Sequence, residues 1–282
     1  MQSLNQQRRQ QPNPQRRAAL IYALMLVMLF AGAFHLRSPQ PSPAVTVIQS
    51  SLDATVPLIN LPDFGAIPDI DSKKQVFFDF LQPYIDAKNR EVQRERERLL
   101  GLVEKIRSGY VLDAAENGFL LELSKTYEVP TDDLLDQAFV QLLLRRVDVI
   151  PPSLVLAQAA NESAWGTSRF AQEGYNFFGQ WCYQKGCGLI PGNRRPSDNH
   201  EVKRFGSVEE AVDAYFQNLN TFPSYQHLRL IRQDLRRKER PIDGISLSEG
   251  LRSYSERGDA YIDELRQMIY YNDLLNRDRI TI

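Results

Sequence analysis

The sequence predicts a mainly helical protein with one short, loop-rich β insertion, held behind an apolar N-terminal segment. Three observations carry this reading. Apolar residues recur at three- and four-residue spacing over most of the chain beyond residue 76. Residues 171–206 interrupt that rhythm with glycine and proline. Residues 18–34 form a run of 17 without a charge.

The apolar run, Ala18 to Phe34, is preceded by Arg8, Arg9, Arg16 and Arg17. A positive flank before an apolar segment places residues 1–17 in the cytoplasm as a short tail. Seventeen residues is near the lower limit for a spanning helix and above the usual core of a signal peptide. Ala31-Gly32-Ala33 also offers a small-x-small cleavage site. A retained transmembrane anchor and a cleaved signal both fit, and the anchor is the preferred reading. A Pro-rich linker follows within 35–71, carrying Pro39, Pro41, Pro43, Pro57, Pro62 and Pro68. Such a stretch is extended and spaces a domain from the membrane.

A helical accessory region is expected over 72–148. Phe77, Phe80, Leu81, Tyr84 and Ile85 share one face, with Pro83 expected to kink or restart the helix. Val92, Leu99, Val103 and Ile106 continue that face from Lys88 to Arg107, and the charge run Arg90–Arg98 reads as solvated surface. Helices are expected near 111–127 and 132–147, the second capped by Thr131. The remaining domain spans 149–282. Pro151-Pro152 launches a helix over 153–164 so apolar that it must be buried. Residues 171–206 read as loops and a small hairpin, with Glu201–Phe205 as a strand. Helices resume at 208–221, 224–238, 247–255 and 259–276, with capping boxes at Ser207/Glu210 and Ser246/Glu249.

Composition excludes some functions. The net charge is −1, and the five arginines of residues 1–37, unaccompanied by any acid, leave the rest of the chain at −6. An acidic body argues against nucleic acid as partner, because that affinity rests on phosphate neutralisation. The two cysteines, Cys182 and Cys187, lie five apart around a glycine. If the chain is exported, an oxidising compartment favours a disulfide between them. With three histidines in all, ligands for zinc are too few, and no metal or cofactor is expected. No nucleophile signature surrounds either cysteine.

The chemistry concentrates in Leu156 to Ser168. Glu162 ends the buried apolar helix, where burial disfavours its charged form. Trp165, one turn on, offers an apolar wall. A carboxyl kept protonated beside an aromatic suits a general acid for glycoside cleavage. The competing reading is a local cap or salt bridge. Trp165, Tyr175, Asn176, Phe178 and Trp181 then supply aromatic platforms and an amide within twenty residues, as a sugar cleft requires, although core packing is expected to claim at least half of the aromatics.

Glu162-Ser163-Ala164-Trp165-Gly166-Thr167-Ser168 followed by Tyr175-Asn176-Phe177-Phe178-Gly179 resembles the signature of glycoside hydrolase family 73, the bacterial endo-β-N-acetylglucosaminidases. The likeness runs from about Pro151 to Tyr271. It implies a lysozyme-like fold, with a helical lobe, a β-rich lobe and a cleft between them; the anchor reading puts that domain in the periplasm. It also implies Glu162 as catalytic acid, with Trp165, Tyr175, Asn176, Phe178 and Gly179 near the cleft. Tyr254 resembles the family's cleft tyrosine and Tyr261 the aromatic a turn later. The second carboxylate is least defined. Glu173, Asp198 and Glu201 are candidates, and Glu201 is preferred. Without one, the substrate's own N-acetyl group could act as nucleophile.

The expected function is hydrolysis of the β-1,4 bond after N-acetylglucosamine in peptidoglycan glycan strands, at the inner membrane. A lytic transglycosylase on a similar fold, a non-catalytic wall-binding protein and a helical partner-binding protein using 72–147 remain as alternatives. Protein partners are not legible.

Overall fold

The computed structural model describes residues 61–192, 194 and 199–278. The expected anchor and tail lie outside them. Among the described residues no helix is long and apolar enough to cross a membrane. The architecture is mainly helical with one small sheet, as the periodicity predicts.

Helix α1 runs from Ile70 to Arg107, its first turn capped by Asp69, which accepts from Ser72 N at 2.7 Å. The expected restart at Pro83 does not occur: the helix is continuous across it. A proline inside a helix costs about 3 kcal/mol through its missing donor. Here Phe77, Phe78, Leu81 and Ile85 are fully buried around it, and their burial offsets that cost.

Helix α2 (Ala114–Thr126) opens on a capping box between Asp113 and Glu116. Helix α3 (Gln137–Arg146) starts later than predicted. Thr131 does not cap it. Its hydroxyl bonds both the N–H and the C=O of Asp133, and Asp133 in turn accepts from Leu135 N, so short polar side chains take the backbone groups that a helix would need. Asp136 is the cap instead.

Helix α4 (Pro152–Ser163) is the buried axis of the molecule. Pro152 presets the first helical residue, and every residue from Pro152 to Ala160 is buried. It packs against α1 on one side. Its other neighbours are α8 (Gly244–Ser248), α9 (Asp259–Tyr271) and the closing 3-10 turn Leu274–Arg277. Helix α5 (Arg169–Gly174) is short. The β insertion forms a three-stranded antiparallel sheet from β1 (Trp181–Cys182), β2 (Gly188–Leu189) and β3 (Glu201–Lys203), in the order β1-β3-β2. Trp181 faces Val202, and Gly188 faces Lys203. A Cβ at Gly188 would lie 2.0 Å from the Val202 carbonyl oxygen, so only glycine fits there.

Helices α6 (Val208–Thr221) and α7 (Gln226–Arg237) match their predicted spans closely. Ser207 caps α6 as expected, but Glu210 reaches back to Gly206 N, not to Ser207 N. The box predicted at Ser246/Glu249 is absent. Asp243 accepts from Ser246 N and starts α8 earlier, while Glu249 pairs with Arg266 at 2.9 Å and with Arg252.

The apolar core forms two clusters. One joins Phe77, Phe78, Leu81 and Ile85 of α1 to α4, α6 and α9. The other gathers Leu99, Leu102 and Val103 of α1 with α2 and α3. A polar joint lies where the chain passes from α3 to α4. Asn89 of α1 pairs with both backbone groups of Ile150, and buried Asp148 meets Arg96, Arg232 and Arg236. Burial pushes the Asp148 carboxyl up, but Arg232, Arg96 and Arg236 together hold it below the ordinary range. The charge run of α1 is therefore not all solvated surface. Arg96 donates to Val147 O at 2.8 Å, and Glu95 accepts from Tyr127.

Candidate active site

Helix α4 stops at Ser163 because the next residues are left-handed: Ala164 at φ 50°, Trp165 at φ 60° and Gly166 at φ 75°. Ser163 Oγ donates to Ala159 O at 2.6 Å and accepts from Gly166 N at 2.8 Å, closing the end. Glu162 thus occupies the last turn, where the helix dipole disfavours a negative charge. It is half-buried. Burial raises its pKa above the usual carboxylate value. The Tyr261 hydroxyl and the Arg257 charge lower it, and Glu264 adds a smaller rise, with a raised pKa as the net result.

Three buried side chains lie behind Glu162. Tyr261 Oη donates to Glu162 Oε1 at 2.9 Å and accepts from Gln158 Nε2 at 3.0 Å. Gln158 Oε1 accepts from the Tyr215 hydroxyl. Gln158, Tyr215 and Tyr261 are all fully buried. In front, Gly179 at φ 65° faces the other carboxylate oxygen, and a Cβ there would stand 3.1 Å from Oε2. Tyr254 stacks on Tyr261 at 5.8 Å with rings nearly parallel, and its hydroxyl donates to Phe178 O at 2.7 Å.

Several residues expected at the cleft have other work. Asn176 is buried. Its amide donates to Gln180 O and Lys203 O, each at 2.8 Å, and its carbonyl oxygen accepts from Gln180 N and Phe178 N. With donors and acceptor engaged by backbone, it fixes the turn that presents Gly179 and does not face a sugar. Phe178 is buried and stacked on Tyr215 at 4.3 Å, so it belongs to the core. Trp165 lies beyond the helix end, not one turn along it, and packs edge-on against Phe77 and Phe78 of α1. Tyr175 is half-buried as the left-handed cap of α5. Trp181 is 56% exposed and stacked on His200 at 4.1 Å, which leaves an aromatic face on the β lobe.

Glu201, the preferred second carboxylate, is tied to the backbone of its own loop. It accepts from Gly186 N at 3.0 Å and Gly188 N at 2.8 Å, and these bonds hold its pKa below the usual value. Cys182 and Cys187 form the expected disulfide, which closes the same loop. Both sulfurs lie near the Glu201 carboxylate, but bonded to each other they are not free to ligate a metal. Glu173 sits in an exposed pair with Arg169. Asp198 lies outside the described residues. Glu201→Gln should therefore keep most of the activity on glycan while lowering thermal stability. A loss as large as that of a Glu162 variant, with the fold intact, would return Glu201 to the mechanism.

Comparison with known proteins now bears on this geometry. The family described as mannosyl-glycoprotein endo-β-N-acetylglucosaminidase matches residues 137–274. Protein bax of Escherichia coli (strain K12) is 33% identical over 216 residues, covering 77% of this chain and 76% of that protein. The chain belongs to this glucosaminidase family, glycoside hydrolase family 73. It is a glycoside hydrolase. The likeness extends further toward the N-terminus than the signature indicates, since the family match already begins in α3. No solved structure matches the chain.

Sequence reasoning missed Gln158, Tyr215, Arg257 and Glu264 as neighbours of Glu162. Gln158 had a signal: four residues before Glu162, it lies on the same face of α4. Tyr215 of α6, Glu264 of α9 and Arg257 in the turn before α9 are distant in sequence and carried none.

Proposed function

We propose that this glucosaminidase cleaves the β-1,4 bond after N-acetylglucosamine in peptidoglycan, with Glu162 as general acid. The observation that carries the reading is the setting of Glu162. It is a half-buried carboxyl at a helix C-terminus, its neutral form favoured by burial, with Gly179 beside Oε2. Glu162 hands its proton to the glycosidic oxygen as the bond to C1 breaks. With Glu201 tied to its loop, the substrate's N-acetyl oxygen takes the nucleophile's place at C1, and water then opens the ring so formed. The exposed face of Trp181 suits the apolar face of a sugar ring. A mainly helical domain with one small sheet is consistent with the lysozyme-like fold that the family implies. The uncharged run at 18–34 would hold the domain at the outer face of the inner membrane, and the disulfide suits the oxidising periplasm.

A lytic transglycosylase also needs only one carboxyl, and the commitment of Glu201 to its loop favours that second reading equally. Digestion of purified peptidoglycan, with products resolved by mass spectrometry, separates the two. Reducing N-acetylglucosamine ends are the expected result. Anhydro-muramic ends would replace hydrolysis by transglycosylation, and an intact glycan would remove both.

A further inference from the structure

The three buried side chains behind Glu162 form a directed chain of hydrogen bonds. A tyrosine hydroxyl has one proton to give. Tyr215 gives its proton to Gln158 Oε1, which leaves the Gln158 amide N–H to point at Tyr261 Oη. With its oxygen already accepting, Tyr261 turns its own proton to Glu162 Oε1. All three side chains are fully buried, so no solvent competes for these groups. Tyr215 is held in place by stacking on Phe178, and Tyr261 by stacking on Tyr254.

We propose that Gln158 and Tyr215 are positioning residues that act through Tyr261. By fixing the direction of its hydroxyl proton they make Glu162 Oε1 an obligate acceptor, and they leave Oε2, the oxygen over Gly179, as the atom that carries the acid proton. An acid is useful only if its proton faces the leaving oxygen. Glycine at 179 keeps the space beside Oε2 clear, since a Cβ there would stand 3.1 Å away. The core thus selects which of two chemically equivalent oxygens is the donor.

This inference rests on Glu162 being the acid, but it can be tested apart from catalysis. The carboxyl of Glu162 is titrated by carbon NMR in the full protein, with Glu162→Gln identifying its resonance. Tyr261→Phe removes a donor to the carboxylate, and the titration should move up by about one pH unit. If the chain ran the other way, with Glu162 donating from Oε1 to Tyr261, the same substitution would remove an acceptor from the neutral acid and the titration would move down. Tyr215→Phe keeps the ring but strips Gln158 Oε1 of its proton. Gln158 is then free to turn and capture the Tyr261 proton, so Glu162 should again titrate higher, although Tyr215 does not bond it. In a Gln158→Met background the Tyr215 substitution should produce no further shift. A Tyr215→Phe protein that is less stable but titrates unchanged, or a downward move in Tyr261→Phe, overturns the proposal. Shifts as expected in a protein whose glycan cleavage ignores Glu162→Gln would keep the relay and reject the catalytic reading.

Discussion

Glu162→Gln is expected to lower glycan cleavage by about two to four orders of magnitude, the contribution typical of a general acid. Glutamine keeps the size of the side chain and can still accept from the Tyr261 hydroxyl, so the fold and the binding of glycan should survive. The pH dependence follows from the same carboxyl. Its pKa is raised, first by burial, and it is active when protonated. For the wild type, kcat/KM should therefore fall as pH rises through that raised value, and the limb should lie above the range of an ordinary glutamate. The residual activity of the Gln variant should lack the limb. Stability follows pH in the same direction. A carboxyl whose pKa is higher folded than unfolded favours the fold at low pH and loses that contribution as pH rises, so the Gln variant should melt no lower than wild type near neutrality. Wild-type rates in the variant would remove Glu162 from the reaction.

Asp148→Ala is expected to have the largest effect on stability. Asp148 is 2% exposed, and three guanidinium groups converge on it. Arg232 is wholly buried, and burial already pushes its pKa down to about 10 even with Asp148 present. Removing the carboxylate leaves that cation in the core without a counter-charge, which costs about 3–5 kcal/mol. For a domain of this size the midpoint of thermal unfolding should drop by roughly 10 °C. Asp234→Ala removes an exposed carboxylate that pairs with Arg237 and Lys238 and serves as the control, with little change expected. A midpoint unmoved in Asp148→Ala would mean that the joint between α1, α3 and α7 contributes nothing.

Much of this architecture is legible from residue pattern. The buried helix after Pro151-Pro152, the cap at Ser207 and the span of α6 follow from local chemistry, and the structure keeps them. Errors arise where a distant partner overrides a local rule. Pro83 should break a helix, but the aromatic residues around it are anchored in the main core. Thr131 and Ser246 look like caps, yet Asp136 and Asp243 stand nearby and do that work. In the site, Glu162 is visible because a lone acid in an apolar helix is costly. Asn176 and Phe178 are also visible, but pattern cannot say whether they meet a sugar or hold the turn that bears Gly179. The bonds of Glu201 are hidden for a similar reason: its partners are backbone amides, which leave no trace in sequence.

Helix α1 is 38 residues long, which at 1.5 Å per residue is a rod of about 57 Å. Its first half lends aromatic side chains to the cluster around α4, and its second half serves a separate one. A minimal enzyme excised where the family match begins, at residue 137, would be missing one wall of its own interior. Whoever trims this protein for crystallisation or for use as a reagent must keep the rod whole, because the boundary of the family match cuts through the scaffold, whereas the likeness to the Escherichia coli relative takes in most of the chain.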